Sequence, residues 1–161
     1  MTRISDRRDD QVAQLSSATS ARPVLLATLS VRIDPSAERM AIDSALEAGV
    51  PLLLVNLLPL RPYPTTIGLL GAERSTLPHE EDLDAVRSTA HRAARLGLRT
   101  ELLRVTTRRP VPALLELASE RDAGLIVFGP DLGLVGRLRF LLAARRVRRE
   151  ADCLVWVVPD G

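Results

Sequence analysis

Four short runs of this chain are apolar at almost every position rather than at alternate ones. They are Val24 to Leu29, Leu52 to Leu58, GLIVFG from Gly124 to Gly129, and CLVWVV from Cys153 to Val158. A strand of that composition has no face to give to water and needs cover on both sides, the condition of a parallel sheet between two layers of helices. The stretches between the runs read as those helices. Asp34 followed by Pro35 has the form of an N-cap and first helical residue, and Gly49 stops the helix that follows. Leu83, Val86, Ala90 and Ala93 recur at helical spacing, with Pro78 near the start and Gly97 near the end. Leu98 to Val105 alternates in part, as an edge strand does, and Val111, Leu114, Leu115 and Ala118 mark a third helix. An arginine-rich helix is predicted from about Leu134 to Glu150. The order implies an α/β fold, a doubly wound five-stranded parallel sheet in the order 3-2-1-4-5 with helices on both faces. Ligands of such sheets bind where the order reverses, here between the first and fourth strands.

At 161 residues the chain is one domain's worth. Residues 1–22 are polar and mixed in charge, without the apolar centre of a signal peptide, and are predicted to be a disordered tail ahead of an α/β domain spanning 23–161. Between Pro59 and Pro78 lies a long Pro-, Gly- and Thr-containing loop that holds Tyr63 and would be the natural lid of a ligand site. No apolar run approaches the roughly 20 residues of a membrane helix, so no membrane partner is expected, and a lone cysteine, Cys153, fits a reducing cytoplasm. The net charge is only +2, every basic residue other than the two histidines is arginine, and aromatic residues make up 2%. That balance argues against a nucleic-acid partner, and Arg145, Arg146, Arg148 and Arg149 read as the solvated end of a helix.

No catalytic residue and no metal ligand can be nominated. His79 and His91 have no Cys or carboxylate partner at ligand spacing, and Cys153 opens a buried strand, where a thiol is ordinary core filling. The chemistry-bearing segment is the glycine loop PDLGLVG after the fourth strand. A strand ending in glycines and turning into a helix N-terminus presents unpaired N–H groups to an anion. Arg137 and Arg139 lie at that helix start, where a cation is unfavourable without an anion nearby, and so are candidates for phosphate contact.

With LLLVNLL after a Gly-terminated helix, ALLELASERDA before GLIVFG, and LLAARRVRREADCLVWVV at the end, the chain resembles the universal stress protein family over residues 23–158. The resemblance implies an adenine-nucleotide site lined by Thr28, Leu29, Asn56, Gly129, Gly133, Gly136, Arg137, Ala143 and Ala144. ATP-binding members carry two glycines two residues apart, then nine residues, then Gly-Ser or Gly-Thr. Here three residues separate Gly129 from Gly133, and nine more lead to Ala143-Ala144, which lack the hydroxyl and the bare backbone of that pair. Pro130 removes a loop N–H, Asp131 brings negative charge to a phosphate position, and Leu29 stands where the family has an Asp near the adenine. These departures imply a degenerate nucleotide site and leave the cofactor open, ATP with Mg being the one a functional member would take. The resemblance further implies a homodimer paired through the last strand by Leu154, Trp156 and Val158. The function it points to is a dimeric regulatory or protein-interaction module with an unidentified protein partner. The alternative is an ATP-binding member acting as a nucleotide sensor or slow ATPase.

Overall fold

A computed structural model of the chain describes residues 22–60, 80–132 and 135–158. The five strands are β1 (Val24–Thr28), β2 (Leu52–Pro59), β3 (Thr100–Thr107), β4 (Leu125–Phe128) and β5 (Leu154–Val157). The four helices among the described residues are α1 (Pro35–Ala48), α2 (Glu80–Arg95), α3 (Pro110–Glu120) and α4 (Arg137–Glu150). All strand pairs are parallel and the sheet order is β3-β2-β1-β4-β5, as the apolar runs predicted. The predicted tail falls almost wholly outside the described residues, as do the glycine-containing part of the 59–78 loop, Tyr63 and His79. Arg22, at the edge of that tail, is described and donates from Nε to Asp122 Oδ1 at 3.2 Å.

The two-sided apolarity of the central strands is used in full. Leu25, Ala27, Leu53, Val55, Ile126 and Phe128 point into a core roofed by α3 and α4, while Val24, Leu26, Leu52, Leu54 and Val127 point into a second core under α1 and α2. The edge reading of β3 holds: its residues alternate between partly buried and exposed. The caps of α1 are those expected. The Asp34 carboxylate accepts from the Ser36 and Ala37 N–H groups, and Gly49 takes the left-handed conformation at φ 64°. One boundary differs, because α4 begins at Arg137 rather than near Leu134, with Gly136 as its N-cap.

The two helices on the second face are clamped together by a polar contact with no local sequence signal. The Arg92 guanidinium grips Glu38 with Nε to Oε1 and Nη2 to Oε2, both at 2.7 Å, and the buried Thr89 hydroxyl donates to Glu38 Oε2 at 2.9 Å. Burial alone would push the Glu38 carboxyl up, but the hydrogen bonds from Arg92 and Thr89 and the arginine charge outweigh it and hold the group below its ordinary range. The folded state therefore binds this proton less tightly than the unfolded chain. The stabilisation is complete above the unfolded Glu pKa and is lost as pH falls through the lower, folded value. Arg92→Ala is expected to cost about 1–2 kcal/mol near pH 7, discounted because the arginine is half exposed. In urea titrations the difference from the parent should shrink under strongly acidic conditions. A difference independent of pH would show that packing, not the ion pair, carries the effect.

Candidate functional site

The crevice at the order reversal is built from the loops that leave β1 and β4, and these loops are joined to each other. Ile33 and Pro130 form an isolated antiparallel bridge. The Asp34 N–H donates to the Gly129 carbonyl at 2.9 Å, and the Asp131 N–H donates to the Arg32 carbonyl at 3.0 Å. The Gly129 N–H is also used, donating to the Ala27 carbonyl at 3.2 Å. Residues 129–131 thus have two N–H groups, both spent on protein carbonyls, and a proline with none. An ion pair lies over the bridge: Arg32 Nε is 3.5 Å from Asp131 Oδ2 and 4.0 Å from Asp82 Oδ1 at the start of α2.

The glycine at 129 has a packing reason. A Cβ built there would collide with the Cβ of Ala37 in the first turn of α1, so the residue lets the helix lie close against the end of β4. Gly136, by contrast, has open space where a Cβ would be. Its carbonyl accepts the first bond of α4, from the Phe140 N–H at 3.1 Å, and no side chain among the described residues caps the helix start. Gly133 lies outside the described residues.

On the β1 side, the Thr28 hydroxyl is fully buried and donates to the Val31 carbonyl at 2.7 Å, closing the turn after the strand. Ser30 holds that turn with φ 55°, and its hydroxyl donates to the Leu57 carbonyl at 3.2 Å. Leu29 is buried in the core on the α3/α4 side. Asn56 sits in register with Thr28, on the strand next to it, and is 2% exposed. Its Oδ1 has no hydrogen-bond partner among the described residues, an unmet acceptor of the kind that native structures seldom leave.

The α4 residues divide by face. Ala144 is buried beside Phe140 and Val147, and Ala143 packs against the same core, so the side chains at these two positions turn toward the sheet. Arg137 is exposed and makes no ion pair among the described residues. The structure thus brings Thr28, Asn56 and Gly129 together at the strand ends, and places Ala143 and Ala144 in the packing layer beneath α4. Sequence reasoning missed Arg32, which pairs with both Asp131 and Asp82, since nothing local to it marks either contact.

Cys153 lies at the opposite end of the sheet, beside a cavity of about 140 Å³ that also touches Arg22, Ser119 and Asp122. Burial pushes its thiol up, away from the thiolate form. Among the described residues no group of three or more His, Cys, Asp or Glu could hold a metal ion. No described helix is long and apolar enough to cross a membrane.

Comparison with known proteins decides the relationship. The sequence profile of the universal stress protein family matches residues 21–159. The chain belongs to the universal stress protein family. Solved members of that family share its fold. A family protein from Burkholderia pseudomallei superposes with a TM-score of 0.62 at 23% identity, covering 87% of this chain and 98% of the other. A universal stress protein from Archaeoglobus fulgidus in complex with dAMP gives 0.54 at 25% identity, covering 84% and 96%. A universal stress protein in complex with cAMP gives 0.57 at 22% identity, covering 88% and 100%. No curated protein matches the chain.

Proposed function

We propose that this universal stress protein is a dimeric regulatory or protein-interaction module whose nucleotide site is degenerate. One observation carries the reading: the first three residues of the glycine loop offer no N–H to a phosphate, because Gly129 and Asp131 donate to Ala27 and Arg32 and Pro130 has none. N–H groups already satisfied at 129 and 131 gain little from an anion, and the proline between them offers none. Pairing through the last strand is supported by its placement at the sheet edge, with Leu154 74% and Trp156 47% exposed. Val158 is buried within the chain and would support the edge from beneath.

A second reading, a nucleotide sensor or slow ATPase, draws on a different observation. The buried Asn56 Oδ1 meets no donor among the described residues, and an exocyclic amine of a purine would supply one; related proteins have been solved with cAMP and dAMP. Native mass spectrometry of the protein, with and without Mg-ATP and cAMP, separates the two. An empty dimer under all conditions, converted to monomer by Trp156→Arg, is the expected result. One nucleotide per subunit would transfer the assignment to the second reading, and a monomeric parent would remove the edge-pairing proposal.

A further inference from the structure

Among the described residues, nothing packs on the outer face of α4, a surface of unusual make-up. The helix buries Phe140, Ala144 and Val147, a stripe at i, i+4 and i+7. The opposite stripe, Leu138, Leu142, Arg145 and Arg149, repeats at i, i+4, i+7 and i+11 and so points away from the sheet. Leu138 is 72% exposed, Leu142 63% and the adjacent Leu141 44%. Three exposed leucines within five residues are a contiguous apolar ridge rather than scattered surface residues.

Arginines bracket that ridge. Arg137 precedes it, Arg139 lies within it, and Arg145, Arg148 and Arg149 follow it. The helix carries six arginines against one glutamate, a net +5, whereas the whole chain is only +2. Glu150 is engaged by Arg146 and Arg149, while Arg137, Arg139 and Arg145 make no ion pair among the described residues. Alongside the ridge runs a groove of about 550 Å³ between α4 and the end of β5, floored by Phe140, Ala144 and Val157 and rimmed by Arg145, Arg148 and Arg149.

We infer that this face docks the protein on an anionic lipid surface, with Leu138, Leu141 and Leu142 entering the interfacial layer and the flanking arginines meeting lipid phosphates. Charge complementarity selects an anionic occupant, and a second copy of the same face would bring arginine toward arginine. A nucleic acid would use the arginines but leave three leucines in water. A convex ridge of leucines set between cations matches the interface of a bilayer, where arginine stems lie along the apolar layer and their heads reach the phosphates. The inference is independent of nucleotide binding, and the Leu138/Leu142 stripe points away from the sheet whether or not β5 pairs.

The test is co-flotation of the full chain with vesicles of phosphatidylcholine alone and of phosphatidylcholine with about one-third phosphatidylglycerol. Binding is expected to the mixed vesicles only, and to weaken as salt rises from about 0.1 M to about 0.5 M. The Leu138→Ser/Leu142→Ser variant should lose about tenfold in partitioning with an unchanged melting temperature, since both side chains are exposed. Arg145→Gln/Arg149→Gln should weaken binding to the mixed vesicles and leave the behaviour with neutral ones unchanged. No binding of the parent to the mixed vesicles overturns the inference. So does a leucine variant that binds as well as the parent, or leucine-independent binding to a DNA duplex of equal strength, either of which would make the face a general polyanion site.

Discussion

Phe140→Ala should be the most destabilising of the single substitutions considered, lowering the free energy of unfolding by about 3–5 kcal/mol. Phe140 is the first buried residue of α4, and its ring stacks on that of Phe128 with centroids 5.7 Å apart and planes 6° from parallel. Both rings are among the largest fully buried side chains, so truncation removes apolar contact and leaves a cavity that the sheet on one side and the helix on the other cannot collapse to fill. Urea denaturation measures the loss directly. Because the two rings touch, Phe128→Ala and Phe140→Ala should combine to less than the sum of their separate costs. A loss for Phe140→Ala below about 1 kcal/mol would mean that α4 is not docked on β4 as described.

Gly129→Ala should cost about 2–3 kcal/mol, more than a glycine in an extended segment would suggest. The added methyl would meet the Ala37 Cβ, an atom fixed to the backbone of α1 that cannot swing aside as the end of a long side chain could. Relief requires the helix to move from the sheet, and the Asp34 N–H to Gly129 carbonyl bond holds it there. Ala37→Gly in the same chain should recover part of the loss, at the cost of about 1 kcal/mol for glycine within a helix. Thermal melting of the two single variants and the pair checks this. If Ala37→Gly fails to compensate, the glycine is present for another reason, and its place in a phosphate loop becomes the better account.

Much of the fold was legible in the chain because the information is local. Runs such as LLLVN, apolar on both faces, can be satisfied only inside a covered parallel sheet, and Asp34-Pro35 and Gly49 carry their own capping chemistry. The strand order followed from the alternation of elements and the handedness of their crossovers. The candidate site was less legible. The spacing of the glycine loop pointed to Gly129, but the reason for a glycine there is Ala37, distant in sequence. Asp131 looked like a charge in a phosphate position, and only folding set Arg32 beside it, with Asp82 on that arginine's other side. Helical spacing alone could not say whether Ala144 or Leu142 faces the sheet.

Sequence by itself determined the layers, the caps of α1 and the family, since each rests on the period of apolar residues or on a motif within a few positions. The tertiary structure alone decided that the Gly129 and Asp131 N–H groups are already engaged, that the buried Asn56 Oδ1 meets no donor among the described residues, and that exposed leucines and arginines share the outer face of one helix. Those facts depend on which distant backbone groups meet and on the rotation of each element about its own axis, and no local pattern of residues encodes either.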